Sequence, residues 1–356
     1  MTVAVPVHLG RPRPATAPDD TLGATPTAGP LLDSYDRIHT DLRISVTDRC
    51  NLRCTYCMPE EGMSFLPHDQ LMTDDEIVRV ARVAHELGVT SARLTGGEPL
   101  ARRGVVALVA RLAGVGFADL ALTTNGTALA PVAARLADAG LHRVNVSCDS
   151  LRPDRFAQIR RRGELARVLA SMDAAEGAGL TPIKVNVVLV AGVNDDEVLD
   201  FARFARETGR IVRYIEYMPL DADGTWRRDQ VVPGARVLAT IDAHWPLEPV
   251  AVADDDGAPA TRYRFRDGSG EIGIIASVTQ PFCGTCNRLR LTADGTIRNC
   301  LFCDEELSVR DVLARGGGDA EIALLLRRAV WSKRAGHGMD DPGFLRPARS
   351  MSMIGG

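Results

Sequence analysis

Between residues 41 and 217 short apolar runs alternate with stretches of helical spacing, and this alternation restricts the fold more than any other feature of the chain. Strand-like runs fall at Leu42–Val46, Ser91–Leu94, Asp119–Thr123, Arg143–Ser147, Ile183–Val190 and Ile211–Tyr217. Helical spacing occupies Asp74–Leu87 and the stretches 104–114, 129–139, 164–178 and 196–207. In the first of these, Ile77, Val80, Ala81, Ala84 and Leu87 share one face, and Thr73 is placed to cap the amino end. Strands that alternate with helices bury both faces as parallel βα units. Six such strands are fewer than the eight of a closed TIM barrel, and pattern alone leaves a partial barrel and a doubly wound sheet both open.

The alternation weakens after about residue 220. Asp221–Gly224 and Asp254–Pro259 are polar and turn-rich, and the runs Thr261–Phe265, Glu271–Ile275 and Leu289–Leu291 read as short antiparallel strands. Asp294–Gly295 is a hairpin turn signal, and residues 306–335 read as helical. Residues 1–33, rich in Pro, Ala, Thr and Gly, hold too little apolar surface to offset the entropy of ordering and are expected to be a mobile tail. Asp19 and Asp20 argue against a transit peptide there. The expected division is a tail (1–33), an α/β unit (34–245) and an α+β C-terminal unit (246–356).

A net charge of −4 gives no general basic field for nucleic acid. No apolar run is long enough to span a bilayer, and the N-terminus lacks a secretion signal, so a cytoplasmic location is expected. In that reducing setting the eight cysteines are not read as disulfides. They are grouped: Cys50, Cys54 and Cys57, then Cys283, Cys286, Cys300 and Cys303, with Cys148 alone and read as packing. Clusters of this kind point to metal or catalysis. No HExxH spacing and no P-loop pattern occur. Arg160–Arg162 reads as a solvated helix end.

Cys50–Cys57 is a CxxxCxxC run just past the first strand, where α/β proteins carry their chemistry. A structural zinc site takes four ligands, so three thiols on a loop suit an iron–sulfur cluster with one open iron. A zinc site completed by a distant His or Asp is the rival. Thr95-Gly96-Gly97-Glu98-Pro99 follows the second strand, and its glycines permit close backbone approach to a ligand.

With an aromatic residue before the last cysteine, these two motifs resemble the radical S-adenosylmethionine enzymes. The resemblance implies a partial (βα)6 TIM-type barrel and a 4Fe–4S cluster whose open iron takes the methionine part of S-adenosylmethionine. From spacing alone, Cys283–Cys286 and Cys300–Cys303 read as a zinc ribbon. The stretch Pro281–Gly295, with Cys300-Leu-Phe, the run Asp41–Cys50 and the Gly355–Gly356 ending, is similar instead to the GTP 3′,8-cyclases of molybdenum cofactor biosynthesis.

That likeness runs from about residue 34 to the C-terminus and implies a second 4Fe–4S cluster on Cys283, Cys286 and Cys300, with an open iron for guanine. Cys303 departs from the pattern and would close that iron if it ligated. The resemblance carries substrate contact onto Arg43, Arg93, Thr123, Lys184, Arg288, Leu289 and Arg290, and cofactor contact onto Tyr56, Gly97, Ser147 and Met218. It gives Arg43, Arg288, Arg290 and the Gly355–Gly356 tail catalytic roles. It also implies GTP as substrate, an electron donor of flavodoxin or ferredoxin type, cyclic pyranopterin monophosphate synthase as the next enzyme, and a homodimer as a compatible assembly. The rival readings are a radical enzyme that modifies peptides through an auxiliary cluster, and a zinc-ribbon binding module on a barrel.

Overall fold

The computed structural model describes residues 24–251 and 257–355. Residues 1–23 of the expected tail, and Gly356, lie outside the described residues. Residues 31–33, assigned to the tail by composition, are packed. Leu31 is fully buried, and Asp33 accepts Arg37 Nε at 2.6 Å and sits 3.0 Å from His39 Nε2.

The six expected strands form: β1 (Asp41–Ser45), β2 (Ser91–Thr95), β3 (Asp119–Thr124), β4 (Arg143–Ser147), β5 (Lys184–Leu189) and β6 (Ile211–Glu216). They pair in chain order and in parallel. The crossovers contain α1 (Asp74–Glu86), α2 (Val105–Ala113), α3 (Ala133–Asp138), α4 (Pro153–Arg160), α5 (Leu165–Gly177) and α6 (Val198–Thr208). Thr73 caps α1 as expected, in a reciprocal pair with Glu76. Helix α4, absent from the sequence reading, has polar residues on most of its surface and a proline in its first turn.

Successive side chains of a strand point to opposite faces, and the sequence uses that period with consistency. On one face Leu42, Ile44, Leu94, Leu122, Val146, Val185, Val187, Val212 and Tyr214 form the core against the helices. The other face carries Arg43, Arg93, Thr123, Asn186, Arg213 and Ile215, which line a single cavity. One cavity touched by five strands means that the sheet is curled.

After α7 (Gly234–Asp242) come β7 (Leu247–Pro249), β8 (Thr261–Phe265), β9 (Glu271–Ile275), β10 (Arg288–Leu291), β11 (Thr296–Arg298) and β12 (Leu307–Ser308). The strand order is β12-β11-β10-β1-β2-β3-β4-β5-β6-β9-β8-β7, so strands from both sides of residue 245 share one sheet. β8 and β9 form the expected antiparallel pair. β9 and β10 depart from expectation: β9 lies parallel to β6, and β10 lies parallel to β1. They are not hairpin neighbours, because they flank opposite edges of the β1–β6 set. The segment 276–287 must therefore run from the carboxyl end of β9 back to the amino end of β10, along the open side of the curled sheet. Asp294–Gly295 turns β10 into β11, with Gly295 at φ 82°. The helical stretch divides into α8 (Val309–Ala314) and α9 (Asp319–Trp331), separated by Gly316, Gly317 and Gly318. A short α10 (Met351–Ile354) ends the described chain. Among the described residues no helix is long and apolar enough to cross a membrane.

Glu216, the last residue of β6, joins the two halves. Its buried carboxylate accepts the backbone N–H of Gly234, Val278 and Thr279, each at 2.8 Å, and the Thr279 hydroxyl at 2.5 Å. Glu216→Ala leaves four donors, three backbone N–H groups and one hydroxyl, without their acceptor, at ~1–3 kcal/mol for each that stays dry. The expected outcome is a loss of about 3 kcal/mol or more, read as a lower urea midpoint with an unchanged slope.

Candidate active site

The loop after β1 presents Cys50, Cys54 and Cys57 to a cavity of about 200 Å³ at the carboxyl ends of the strands. A turn shapes the loop, with Cys57 N–H and Met58 N–H both on the Cys54 carbonyl. Tyr56, Gly97, Ser147 and Met218 line the same cavity. The two motif glycines are required by close approach. A Cβ on Gly96, at φ 143°, would lie 2.3 Å from the Thr47 oxygen, and one on Gly97 would lie 2.4 Å from the Arg49 oxygen. Glu98 turns away from the cavity to brace its floor. It accepts the Thr124 hydroxyl at 2.7 Å, Asn125 N–H at 2.7 Å and Leu100 N–H at 3.0 Å.

Burial pushes the Cys50 thiol up to about 11 and Cys57 higher still, so iron must displace protons to bind here. Among the described residues no three His, Cys, Asp or Glu side chains converge closely enough to hold a single ion. The three thiols instead border a shared space, which is the donor set and the room that a thiolate-bound cluster needs.

Cys283, Cys286 and Cys300 line a second cavity of about 160 Å³, together with Arg43, Arg93, Thr123, Arg288 and Arg290. Thr123, Asn186, Ile215 and Met218 border both this cavity and the first. The two cysteine nests therefore open onto adjoining chambers of one interior. Cys303 does not line this cavity, but all four thiols border a smaller one of about 40 Å³. Two cations brace this nest. Arg37 Nη1 donates to the Cys283 carbonyl at 2.6 Å, and Lys333 Nζ lies 3.1 Å from Cys286 Sγ. Burial alone would raise the Cys286 thiol, but Arg288 and Lys333 outweigh it and bring it down to about 6.

A third cavity, of about 390 Å³, lies at the amino ends of the strands. Lys184 lines it, with Arg43, Arg93, Arg143, Arg213 and Arg262, and Arg43, Arg93 and Arg213 also border the second cavity. Carboxylates offset only part of this charge. Arg43 pairs with Asp41 at 2.9 Å, and Arg143 pairs with Asp119. Arg93 Nε and Arg288 Nη2 are buried without a hydrogen-bond partner. Burial, then the neighbouring Arg143, Arg213 and Arg93, draw Lys184 down to about 7. Burial and neighbouring guanidinium groups likewise bring Arg213 and Arg290 down to about 9.

Arg213 and Asn186 belong to this surface, with Arg213 Nε donating to Asn186 Oδ1 at 2.9 Å, and neither is expected there from the sequence. The signal is present, since each alternates with core residues on an apolar parallel strand as Arg43 does. The Leu289 side chain points the other way, into the core, opposite Arg288 and Arg290. The tail reaches the same interior. Arg290 Nη1 donates to the Gly355 carbonyl at 2.5 Å, and a Cβ on Gly355, at φ 71°, would meet Thr95 at 2.7 Å.

Two family descriptions match the chain: Radical SAM superfamily over residues 44–205 and Molybdenum Cofactor Synthesis C over residues 210–339. A GTP 3′,8-cyclase of Streptomyces coelicolor is 49% identical over 328 residues, covering 92% of this chain and 96% of the relative. GTP 3′,8-cyclase 2 of Mycobacterium tuberculosis is 50% identical over 339 residues, covering 93% of each. Among solved structures, Streptococcus suis SuiB bound to the precursor peptide SuiA superposes with a TM-score of 0.58 at 14% identity, covering 86% of this chain and 68% of that one. A tagged form of anSMEcpe with bound AdoMet gives 0.51 at 14% identity, covering 79% and 81%. At such identities these two structures speak for the fold.

Gly97→Ala forces its new methyl against the backbone of Asp48 and Arg49, which cannot yield as a flexible side chain would. The expected cost is about 1–3 kcal/mol, seen in chemical denaturation of the metal-free protein.

Proposed function

The chain belongs to the GTP 3′,8-cyclases, a radical S-adenosylmethionine family of molybdenum cofactor synthesis, and on that premise we propose how its interior divides the work of converting GTP to 3′,8-cyclo-7,8-dihydro-GTP. One observation carries the reading: two thiol nests open onto adjoining chambers whose far end holds more buried positive charge than its carboxylates offset.

Cys50, Cys54 and Cys57 would hold the 4Fe–4S cluster on which S-adenosylmethionine binds, beside Tyr56, Gly97, Ser147 and Met218. When bound, these groups would supply the radical chemistry that removes the ribose 3′ hydrogen as 5′-deoxyadenosine, so that this carbon can bond to C8 of guanine, with one further electron and a proton completing the 7,8-dihydro ring. Cys283, Cys286 and Cys300 would hold a second 4Fe–4S cluster that receives the base. Cys303 shares the smaller cavity with these three but does not line the arginine-lined chamber, so a cluster facing that chamber through the three thiols would keep its inner side open.

Arg43, Arg93, Lys184 and Arg213 would take the triphosphate, and Arg288 and Arg290 would fix the nucleotide between the two nests. Guanidinium groups suit phosphate through paired, charge-assisted hydrogen bonds. Substrate would also relieve the mutual repulsion of these cations, so the energy spent in burying them returns as affinity. The protein's part is to hold the ribose carbon and guanine C8 at reacting distance and to exclude water. An electron donor of flavodoxin or ferredoxin type would supply both electrons, one for cofactor cleavage and one for the cyclised base, and cyclic pyranopterin monophosphate synthase would consume the product.

The deciding experiment is an anaerobic incubation with GTP, S-adenosylmethionine and reductant, read by mass spectrometry. The cyclised nucleotide and 5′-deoxyadenosine are expected, from protein carrying about eight irons per chain. Cys50→Ala abolishes cofactor cleavage. Arg288→Ala retains uncoupled cleavage but binds GTP at least ~tenfold more weakly, a loss of ~1.4 kcal/mol. Parental GTP affinity in that variant would exclude the assigned pocket.

A pH dependence follows from Lys184. In the free protein it loses its charge as pH rises through about 7, whereas a bound triphosphate favours the charged form. Binding above that pH takes up a proton, so GTP affinity falls as pH rises, by up to ~tenfold per unit. Titration calorimetry between about pH 7.5 and 9 should show this slope in the parent and a flatter one in Lys184→Gln.

A further inference from the structure

Arg160, at the end of α4, reads in the sequence as part of a solvated basic run, yet its side chain is only 3% exposed. The guanidinium points inward. Nη1 lies 3.3 Å from Cys54 Sγ, and Nη2 lies 2.7 Å from Asp149 Oδ2. The Asp149 contact is an ion pair out of line for a hydrogen bond, so the aligned donation goes to the sulfur. The carboxylate of Asp149 has other partners. It accepts the Tyr56 hydroxyl at 2.7 Å and Val188 N–H at 2.9 Å. Phe156 covers the far side of the guanidinium, with its ring centroid 5.8 Å away. A chain of contacts thus runs Cys54–Arg160–Asp149–Tyr56: Cys54 and Tyr56 lie on the first cysteine loop, and Arg160 and Asp149 each bond to it. The α4 backbone adds support independent of the side chain, since Arg53 N–H and Thr55 N–H donate to the carbonyls of Arg160 and Ile159.

We propose that Arg160 is the positioning residue that sets the reduction potential of the first cysteine nest, through a charge-assisted hydrogen bond to the Cys54 sulfur. This rests on Cys50, Cys54 and Cys57 holding a cluster. The reduced form of such a cluster carries one more negative charge on iron and sulfur. A cation that donates to a ligand sulfur stabilises that form over the oxidised one and raises the potential. Burial keeps the interaction from being screened. Asp149 opposes the effect from farther away, beyond the guanidinium, so the pair acts as a dipole with its positive end on the sulfur. The same carboxylate holds the Tyr56 hydroxyl, which couples the charge on the sulfur to the wall of the first cavity.

The test uses full-length protein in a Cys283→Ala/Cys286→Ala/Cys300→Ala background, so that only the first nest holds iron. Iron and sulfide per chain, and an anaerobic redox titration followed by electron paramagnetic resonance, are measured with and without Arg160→Gln. The expected result is unchanged iron with a potential shifted to a more negative value, and Arg160→Lys falling between the two. A variant with parental iron and parental potential overturns the proposal. Should Arg160→Gln fail to load iron, Asp149→Asn decides. Removing the opposing charge shifts the potential to a more positive value if the proposal holds, and an unmoved potential refutes it. A triple-alanine parent without iron overturns the cluster assignment itself, and the inference with it.

Discussion

Positive charge held inside a parallel sheet is the constraint on which the rest of this structure depends. A parallel sheet covered by helices is normally apolar on both faces, because no water remains to solvate a charge. Here the helix-facing side obeys that rule and the inner side breaks it. Arg43, Arg213, Arg288 and Arg290 are each at most 7% exposed, on strands whose alternate residues are core. Asp41 offsets part of the charge, and the remainder shows as lowered proton affinities and unpartnered nitrogens. An interior of this kind is stable only because the helices and the outer face of the sheet bury a continuous apolar core around it. It also selects what can enter, since a polyanion relieves the repulsion and a cation adds to it.

The curl of the sheet turns those charges into a site. Had the strands lain flat, Arg43 on β1 and Arg213 on β6 would be separated by the strands between them, ~4.8 Å apart each. Instead they border the same two cavities. β9 and β10 extend the parallel set at its two edges, and the segment that joins them carries Cys283 and Cys286 along the unclosed side. The incomplete barrel is thus a functional arrangement: the missing strands leave room for a loop that brings a second set of thiols to face the interior.

How far this could be read in the sequence depended on the range of the signal. The six parallel strands and most of their helices were legible, because periodicity is local and each βα unit repeats it. The turn at Asp294–Gly295 was legible for the same reason. The orientation of β9 and β10 was not, since it is set by partners far away in sequence, β6 and β1, and a short strand carries no mark of its neighbours. The spacing of Cys50–Cys57 pointed to a cluster, whereas spacing alone read the second group as a zinc ribbon and only the family likeness pointed elsewhere; that both groups border one interior is a property of the curled sheet. Arg213 could have been found by asking which charges interrupt apolar strands. Arg160 could not, because it ends a helix with no apolar stripe, and its burial follows from how α4 docks on the cysteine loop.

The two nests share a physical device despite their unrelated surroundings. Each has one buried cation on one of its sulfurs: Arg160 on Cys54, and Lys333 on Cys286. The difference lies in what offsets the cation. Arg160 is paired with Asp149, so the first nest gains a directed dipole and little net charge. Lys333 has carbonyls as its other partners, those of Cys286 and Arg288, and Arg288 adds a second positive charge nearby. The Cys286 thiol is accordingly drawn down to about 6, while burial drives the thiols of the first nest up. The lowering does not extend to Cys283 of the same nest, whose thiol burial raises. The second nest shares its cavity with Arg43, Arg93, Arg288 and Arg290, and Arg288 acts directly on its Cys286 thiol. The nest at the carboxyl ends of the strands has its cation paired with a carboxylate of its own.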